Sequence, residues 1–260
     1  MNTTQPPTVL VIAGNDPSGG AGLCADIQAL ANQGCHTAPV VTCLTIQNTH
    51  NIINSILVPG EQVIAQAQTI LDDIPIAAVK IGLLGSVEII EAVQQILIQY
   101  PHLPVIFDPI LAASGGYSLA SHQIRRTIIE KLLPFIQVIT PNSQEARALT
   151  GQPVQLESAA KKLIDLGCDY VCITGTHENT SAVTNTLYHE KKVLKSWKWP
   201  RLVGEYHGSG CTFAASLAGL IAKNYDMITA TYQAQRYTWT CLQQGYQPAK
   251  GQFLPNRISW

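Results

Sequence analysis

The feature that most limits the fold is an alternation of short, continuously apolar runs with longer stretches of helical period. Residues 8–13 (TVLVIA) form such a run, with no polar residue after the first position. A strand of that composition has to be covered on both faces, as in a parallel sheet flanked by helices. Gly-rich punctuation follows at 14–22, then a helical stretch with Leu23, Ile27, Leu30 and Ala31 on one side. Further strands are expected at 39–46, 77–84, 104–110, 137–140 and 170–174. Helices are expected at 61–71, 87–98, 123–133, 143–149, 159–166, 212–223 and 228–243. Strands separated by helices of this length imply βαβ crossovers. Residues 181–199 break the pattern. There β-branched and aromatic residues alternate around Glu190-Lys191-Lys192, as in a hairpin at a sheet edge. No linker or internal repeat divides the 260 residues, so one domain, 1–260, is expected.

Only 13% of the residues are charged, about half the usual ~25%, and the net charge is −1. That balance argues against a nucleic-acid surface, which needs clustered Lys and Arg. No apolar run reaches the ~18 residues of a membrane span. Residues 1–8 (MNTTQPPT) have neither a basic n-region nor an apolar h-region. The seven cysteines are scattered, with no CxxC pair. Reduced thiols in the cytoplasm are expected rather than a disulfide framework or a zinc site.

Open parallel sheets bind ligands beyond the carboxyl ends of their strands. Here those ends are polar: Asn15-Asp16, Gln47-Asn48, Asp108, then Asn142 with Glu145, and Thr174-Gly175-Thr176-His177. The sharpest local motif is 206–215 (YHGSGCTFAA), where Gly208, Ser209 and Gly210 lead into an Ala-rich helix. Glycines there let backbone N–H groups converge on one point, and the helix N-terminus adds positive potential. Such a hole suits a phosphate or the charge that develops in phosphoryl transfer. It is not a Walker A loop, because GxxxxGK[ST] is absent. Cys211 stands at that helix start, where a lowered thiol pKa is expected, and its thiolate could take a hydroxyl proton. A glycine N-cap beside a buried structural cysteine has the same signature.

Residues 15–22 (NDPSGGAG) form a second Gly-rich loop, without the GxGxxG of a dinucleotide site. An ordinary βα turn fits it equally. Asp26, one turn into the next helix, is either a ligand contact or a surface residue. Asp108 ends an apolar strand, where a carboxylate is costly unless paired or bound to a cation. Asp108, Asn142 and Glu145 together suit Mg2+ that bridges phosphates. Asn142 and Glu145 also fit a helix capping box, and both roles are compatible. His177 and His207 abut the rim without metal-ligand spacing, and Trp197, Trp199, Trp239 and Trp260 read as packing or dimer surface.

Taken in order, residues 12–28 (IAGNDPSGGAGLCADIQ), 41–51 (VTCLTIQNTHN), 79–84 (VKIGLL) and 105–109 (VIFDP) carry a resemblance. It continues through 132–148 (LLPFIQVITPNSQEARA), 207–215 (HGSGCTFAA) and 251–257 (GQFLPNR). These segments resemble the hydroxymethylpyrimidine/phosphomethylpyrimidine kinases of thiamine biosynthesis, within the ribokinase-like superfamily. The resemblance implies an α/β, ribokinase-like three-layer sandwich with a mainly parallel central sheet and a small edge hairpin. It implies ATP-dependent phosphorylation of 4-amino-5-hydroxymethyl-2-methylpyrimidine, then of its monophosphate, with Mg2+, in a homodimer. By the same carry-over Cys211 is the catalytic base and Gly208, Ser209 and Gly210 form the anion hole. Gln47 would read the pyrimidine edge, with the Thr45 backbone and Asp26 near the substrate, while Asp108, Asn142 and Glu145 organise Mg2+ and the triphosphate. Thr174, Gly175, Thr176 and His177 would line the nucleotide side.

Asn15, Gly116, Thr174 and Thr176 depart from the family's usual pattern, mostly on the phosphate and nucleotide side. Two other readings follow: a kinase of the same shape acting on pyridoxine or pyridoxal, and a non-catalytic pyrimidine-binding protein.

Overall fold

A computed structural model describes residues 5–112, 120–151 and 155–258 of the chain. Its first strand, β1 (Thr8–Asn15), explains the apolar run. Val9, Val11 and Ala13 face one helical layer while Leu10 and Ile12 face the other, and all five are essentially inaccessible. The chain continues through α1 (Gly22–Asn32), β2 (His36–Gln47), β3 (Ile52–Leu57), α2 (Gly60–Leu71), β4 (Ile76–Ile81) and α3 (Val87–Gln99). Next come β5 (Val105–Phe107), α4 (His122–Lys131), β6 (Val138–Ile139), α5 (Ser143–Thr150) and α6 (Leu156–Asp165). The last elements are β7 (Tyr170–Ile173), β8 (Ala182–His189), β9 (Lys192–Pro200), α7 (Ser209–Ala222) and α8 (Met227–Gln243).

The strands form one sheet in the order β3-β2-β1-β4-β5-β6-β7-β8-β9. From β2 to β7 every pairing is parallel; β3 at one edge and β8–β9 at the other run antiparallel. The hairpin expected at 181–199 is therefore β8–β9. Strand β3 is absent from the sequence reading. Its outward residues are exposed at the sheet edge, so Asn54 and Ser55 interrupt the apolar signal without cost.

Helices α1, α7 and α8 cover one face, with Leu30, Phe213, Leu217 and Ala234 in the buried layer. Helices α2 to α6 cover the other. Helix α7 is buried on almost every side, which its Ala-rich sequence permits. The chain leaves β1 for β2 on one side and returns to β4 on the other. That reversal is the crevice where doubly wound sheets hold ligands.

Candidate active site

A cavity of about 770 Å³ opens beyond the carboxyl ends of the parallel strands. One part lies between the loop after β1, the end of β2 and the start of α7. The other reaches toward β8, β9 and α8.

The loop after β1 is organised by Asp16, which is almost fully buried. Its Oδ1 accepts from the Ser18 amide (2.8 Å) and hydroxyl (2.7 Å); its Oδ2 accepts from the Ala21 amide (2.8 Å). His207 Nε2 donates to the same Oδ2 at 2.8 Å, tying this loop to the one before α7. Burial alone raises the Asp16 carboxyl, but the hydrogen bonds from His207 and Ser18 hold it well below the usual range.

Gly208 is the N-cap of α7 in a left-handed conformation (φ 78°). A Cβ there would sit 1.9 Å from the Gly20 carbonyl oxygen, so the two glycine loops touch through backbone. The first helical hydrogen bond runs from the Thr212 amide to the Gly208 carbonyl (3.0 Å). The amides of Ser209, Gly210 and Cys211 precede it and point out of the helix end at the cavity wall. Ser209 and Gly210 thus belong to the first turn rather than to a loop before it.

Cys211 lines the cavity yet is only 5% exposed. Its Sγ lies beside the Gly22 amide and the Asp108 carboxylate, both of which act on it. The expectation of a thiolate is corrected here. Burial first, and the Asp108 charge second, push the thiol up despite the helix N-terminus and Lys80. Asp108 is itself raised to about 6, chiefly by burial, with Lys80 opposing. Its Oδ2 is buried without a hydrogen-bond partner among the described residues.

Asp26 also departs from expectation. It is fully buried beneath the cavity wall, not at its mouth, and pairs with Lys80 Nζ at 2.9 Å. A carboxylate at that depth needs a cation, and the neighbouring strand supplies one. Burial lowers Lys80, but Asp26 first, then Cys211 and Asp108, keep it an ammonium above its usual range. The signal for Lys80 was a lone lysine inside an apolar strand.

On the opposite wall, β2 alternates, and Thr45 and Gln47 line the cavity. The Thr45 hydroxyl donates to the Asn15 carbonyl at 2.9 Å. The Gln47 side chain lines the cavity too, and no hydrogen bond to it occurs among the described residues.

Asn142 is the N-cap of α5. Its Oδ1 accepts from the Gln144 and Glu145 amides, both at 2.9 Å, while Glu145 Oε2 accepts from the Asn142 amide at 2.9 Å. With both lone-pair directions of that oxygen used, Asn142 is a cap and not a metal ligand. Glu145 is raised to about 8, by burial first and the Asp108 charge second. No cluster of three or more His, Cys, Asp or Glu forms a metal cage among the described residues. Asp108 and Glu145 still fit Mg2+, which keeps waters and phosphate oxygens in its shell: two mutually repelling carboxylates, one with an orphaned oxygen, face one cavity.

Thr174, Thr176 and His177 line the far part of the cavity, while Gly175 lies behind it and donates to Asn185 Oδ1 (3.1 Å). Arg201 shapes this loop by donating to the carbonyls of Thr176, Glu178 and Thr180. Burial, then the Arg201 charge, lower the His177 pKa. Trp199 and Trp239, read from sequence as packing or dimer surface, line the cavity and stack on each other at 6.1 Å. Gln235 Oε1 accepts from both Trp199 Nε1 (2.7 Å) and Asn185 Nδ2 (3.0 Å). Nothing in the sequence marks Arg201, Asn185 or Gln235. Residues 113–116, where Gly116 departs from the family pattern, lie outside the described residues.

The phosphomethylpyrimidine kinase family model matches residues 16–256. The bifunctional thiamine biosynthetic enzyme of Arabidopsis thaliana chloroplasts is 34% identical over 91% of this chain, which spans about half (47%) of that relative's length. A hydroxymethylpyrimidine/phosphomethylpyrimidine kinase of Haemophilus influenzae is 34% identical over 88% of both chains. An ADP complex of Bacillus subtilis pyridoxal kinase superposes with a TM-score of 0.88 at 27% identity, covering 97% of each chain. With that family model spanning most of the chain and a relative 34% identical over 88% of both chains, the chain belongs to the phosphomethylpyrimidine kinase family.

Proposed function

We propose that this kinase transfers the γ-phosphoryl group of ATP to 4-amino-5-hydroxymethyl-2-methylpyrimidine and then phosphorylates the monophosphate. One observation carries the reading: Cys211 and the first-turn amides of α7 share a cavity with Thr45 and Gln47. A small heteroaromatic ring would lie in that cavity with its hydroxymethyl group toward α7. The Gln47 amide offers a donor and an acceptor to the aminopyrimidine edge. Buried polar recognition of this kind discriminates strongly against rings that lack the matching groups.

The hydroxyl donates its proton to Cys211 Sγ as the thiol proton passes to Asp108, so the thiol relays and never needs to be a free thiolate. The Ser209, Gly210 and Cys211 amides receive the oxygens of the transferring group. Glu145 would hold Mg2+ at the cavity wall, where the cation would neutralise charge on those oxygens, while Asp108 takes the relayed proton. Thr174, Thr176 and His177 face the nucleotide, and Trp199 and Trp239 wall its base. Seven free cysteines suit a reducing cytoplasm. The exposed outer face of β2–β3 suits a homodimer.

A second reading, a pyridoxal kinase, is favoured by the close superposition on the Bacillus enzyme. The test is ATP consumption by the purified protein with Mg2+, offered hydroxymethylpyrimidine, its monophosphate and pyridoxal in parallel. Turnover on both pyrimidines with weak pyridoxal turnover supports the main reading. Preferential pyridoxal turnover promotes the second. Tight pyrimidine binding without turnover on any substrate overturns both.

A further inference from the structure

Arg257 lies in the C-terminal tail, far in sequence from both glycine loops, and is only 2% exposed. Its guanidinium reaches into the seam between the two glycine loops. One Nη donates to the Gly20 carbonyl and, at 3.4 Å, to the Gly208 carbonyl. The Nε donates to the Thr212 hydroxyl (2.8 Å), which itself donates to the Gly208 carbonyl (2.7 Å). The other Nη donates to Gln28 Oε1 at 3.3 Å. The tail that carries Arg257 is anchored in turn. Tyr237 of α8 donates to the Arg257 carbonyl (3.0 Å), and Asn256 donates through its amide to Cys241 (2.9 Å). Upstream, the His207 amide donates to the Phe253 carbonyl (2.9 Å), binding the loop before α7 to the same tail.

Two physical points follow. The carbonyl of one residue and the N–H of the next point in opposite directions across a trans peptide. Holding the Gly208 carbonyl from behind, directly and through Thr212, therefore aims the Ser209 amide forward into the cavity. The contact with Gly20 sets where the loop after β1 meets it, and that loop runs directly into Gly22, the first residue of α1, whose amide lies beside Cys211 Sγ. Secondly, among the described residues the hydrogen-bond partners of this buried cation are all neutral, and the Asp26 carboxylate, which acts on it through space, is itself paired with Lys80. A buried cation hydrogen-bonded only to neutral groups is costly, and an apolar residue would fill the seam at lower cost. An anion arriving at the α7 amides adds opposite charge to the seam.

We propose that Arg257 is a positioning residue for phosphoryl transfer: it locks the two glycine loops in the register that forms the anion hole and sets Cys211, and does so without touching the pyrimidine. This rests on the kinase reading above. It differs from a packing role in what it affects, since the transition-state anion depends on the seam while the pyrimidine edge, held by β2, does not.

The experiment compares Arg257→Lys, Arg257→Met and Thr212→Val with the wild type. Thr212→Val breaks the relay to Gly208 and leaves the guanidinium in place, so it reports on the seam even if the Met variant folds poorly. Circular dichroism and thermal unfolding establish the folded fraction of each. The expected result is a kcat lowered about tenfold or more in Arg257→Lys and Thr212→Val, with the pyrimidine KM within about twofold. Calorimetry with inorganic tripolyphosphate, which needs no turnover, should show weaker binding in both variants. Wild-type kcat unchanged in these two variants, a loss confined to pyrimidine KM, or tripolyphosphate affinity equal to wild type overturns the proposal. A wild type that turns over no pyrimidine overturns the substrate reading instead, and the tripolyphosphate comparison still decides on Arg257.

Discussion

Cys211 occupies the first turn of α7, where the helix end favours a thiolate, yet burial and the Asp108 carboxylate outweigh that field. A relay into Asp108 follows from this balance, and so does a prediction. Cys211→Ala should retain pyrimidine binding by calorimetry while kcat falls by about a hundredfold or more. Turnover near wild type in that variant would remove Cys211 from the proton path. Glu145 gives a pH prediction. Its carboxyl titrates near 8 in the fold against 4.5 in an unfolded chain. The folded state therefore binds the extra proton, and stability falls as pH rises through that window. His177, whose pKa is lowered, acts in the opposite sense, but only below its unfolded value of 6.5. Between pH 6.5 and 8 the melting temperature in chelator should therefore drop, and Glu145→Gln, which keeps the capping hydrogen bond, should flatten that drop. An unchanged slope in the variant would mean that Glu145 is not the group responsible. Mg2+ should also reduce the slope, because a cation beside Glu145 favours its ionised form.

At the scale of elements, the loop from Thr174 to Thr180 takes its shape from Arg201, which caps three of its carbonyls. Arg201→Met frees those carbonyls and should raise the KM for ATP several-fold, leaving the pyrimidine KM unchanged in steady-state kinetics. A shift in pyrimidine KM of the same size would show that the loop serves both substrates. These contacts also mark where sequence reasoning stops. The strand ends Asn15-Asp16, Gln47, Asp108 and Thr174 were readable because each follows an apolar run, and the fold places such ends on one rim. Arg257 and Gln235 were not, because their contacts join residues 237 and 50 positions apart and no local period encodes them. Asp26 misled for the same reason: its partner Lys80 lies 54 residues away, and only the sheet brings them together. Buried strands announced themselves through composition, whereas β3, exposed at an edge, carried no such signal.

At the scale of the molecule, β2 has two unlike faces. Thr45 and Gln47 turn inward to the cavity; Leu44 and Ile46 turn outward and are each 46% exposed. Ile56 of β3 pairs with Leu44 and is 56% exposed on that outer face. An apolar surface of this kind on an edge hairpin is an aggregation liability unless another surface covers it. A second copy of the chain is the partner that the homodimer reading supplies, with the two hairpins packed face to face. Ile56→Asp places a charge in that contact, so sedimentation should show the wild type as a dimer and the variant as a monomer. Because β3, among the described residues, pairs within the sheet only with β2, an uncovered hairpin also loses its backing behind Gln47. The monomeric variant should then show a raised pyrimidine KM and little change in kcat, since α7 and Arg257 lie on the other wall. A wild type that sediments as a monomer would sink the dimer. A variant that dissociates without any change in KM would keep the interface and separate it from substrate recognition.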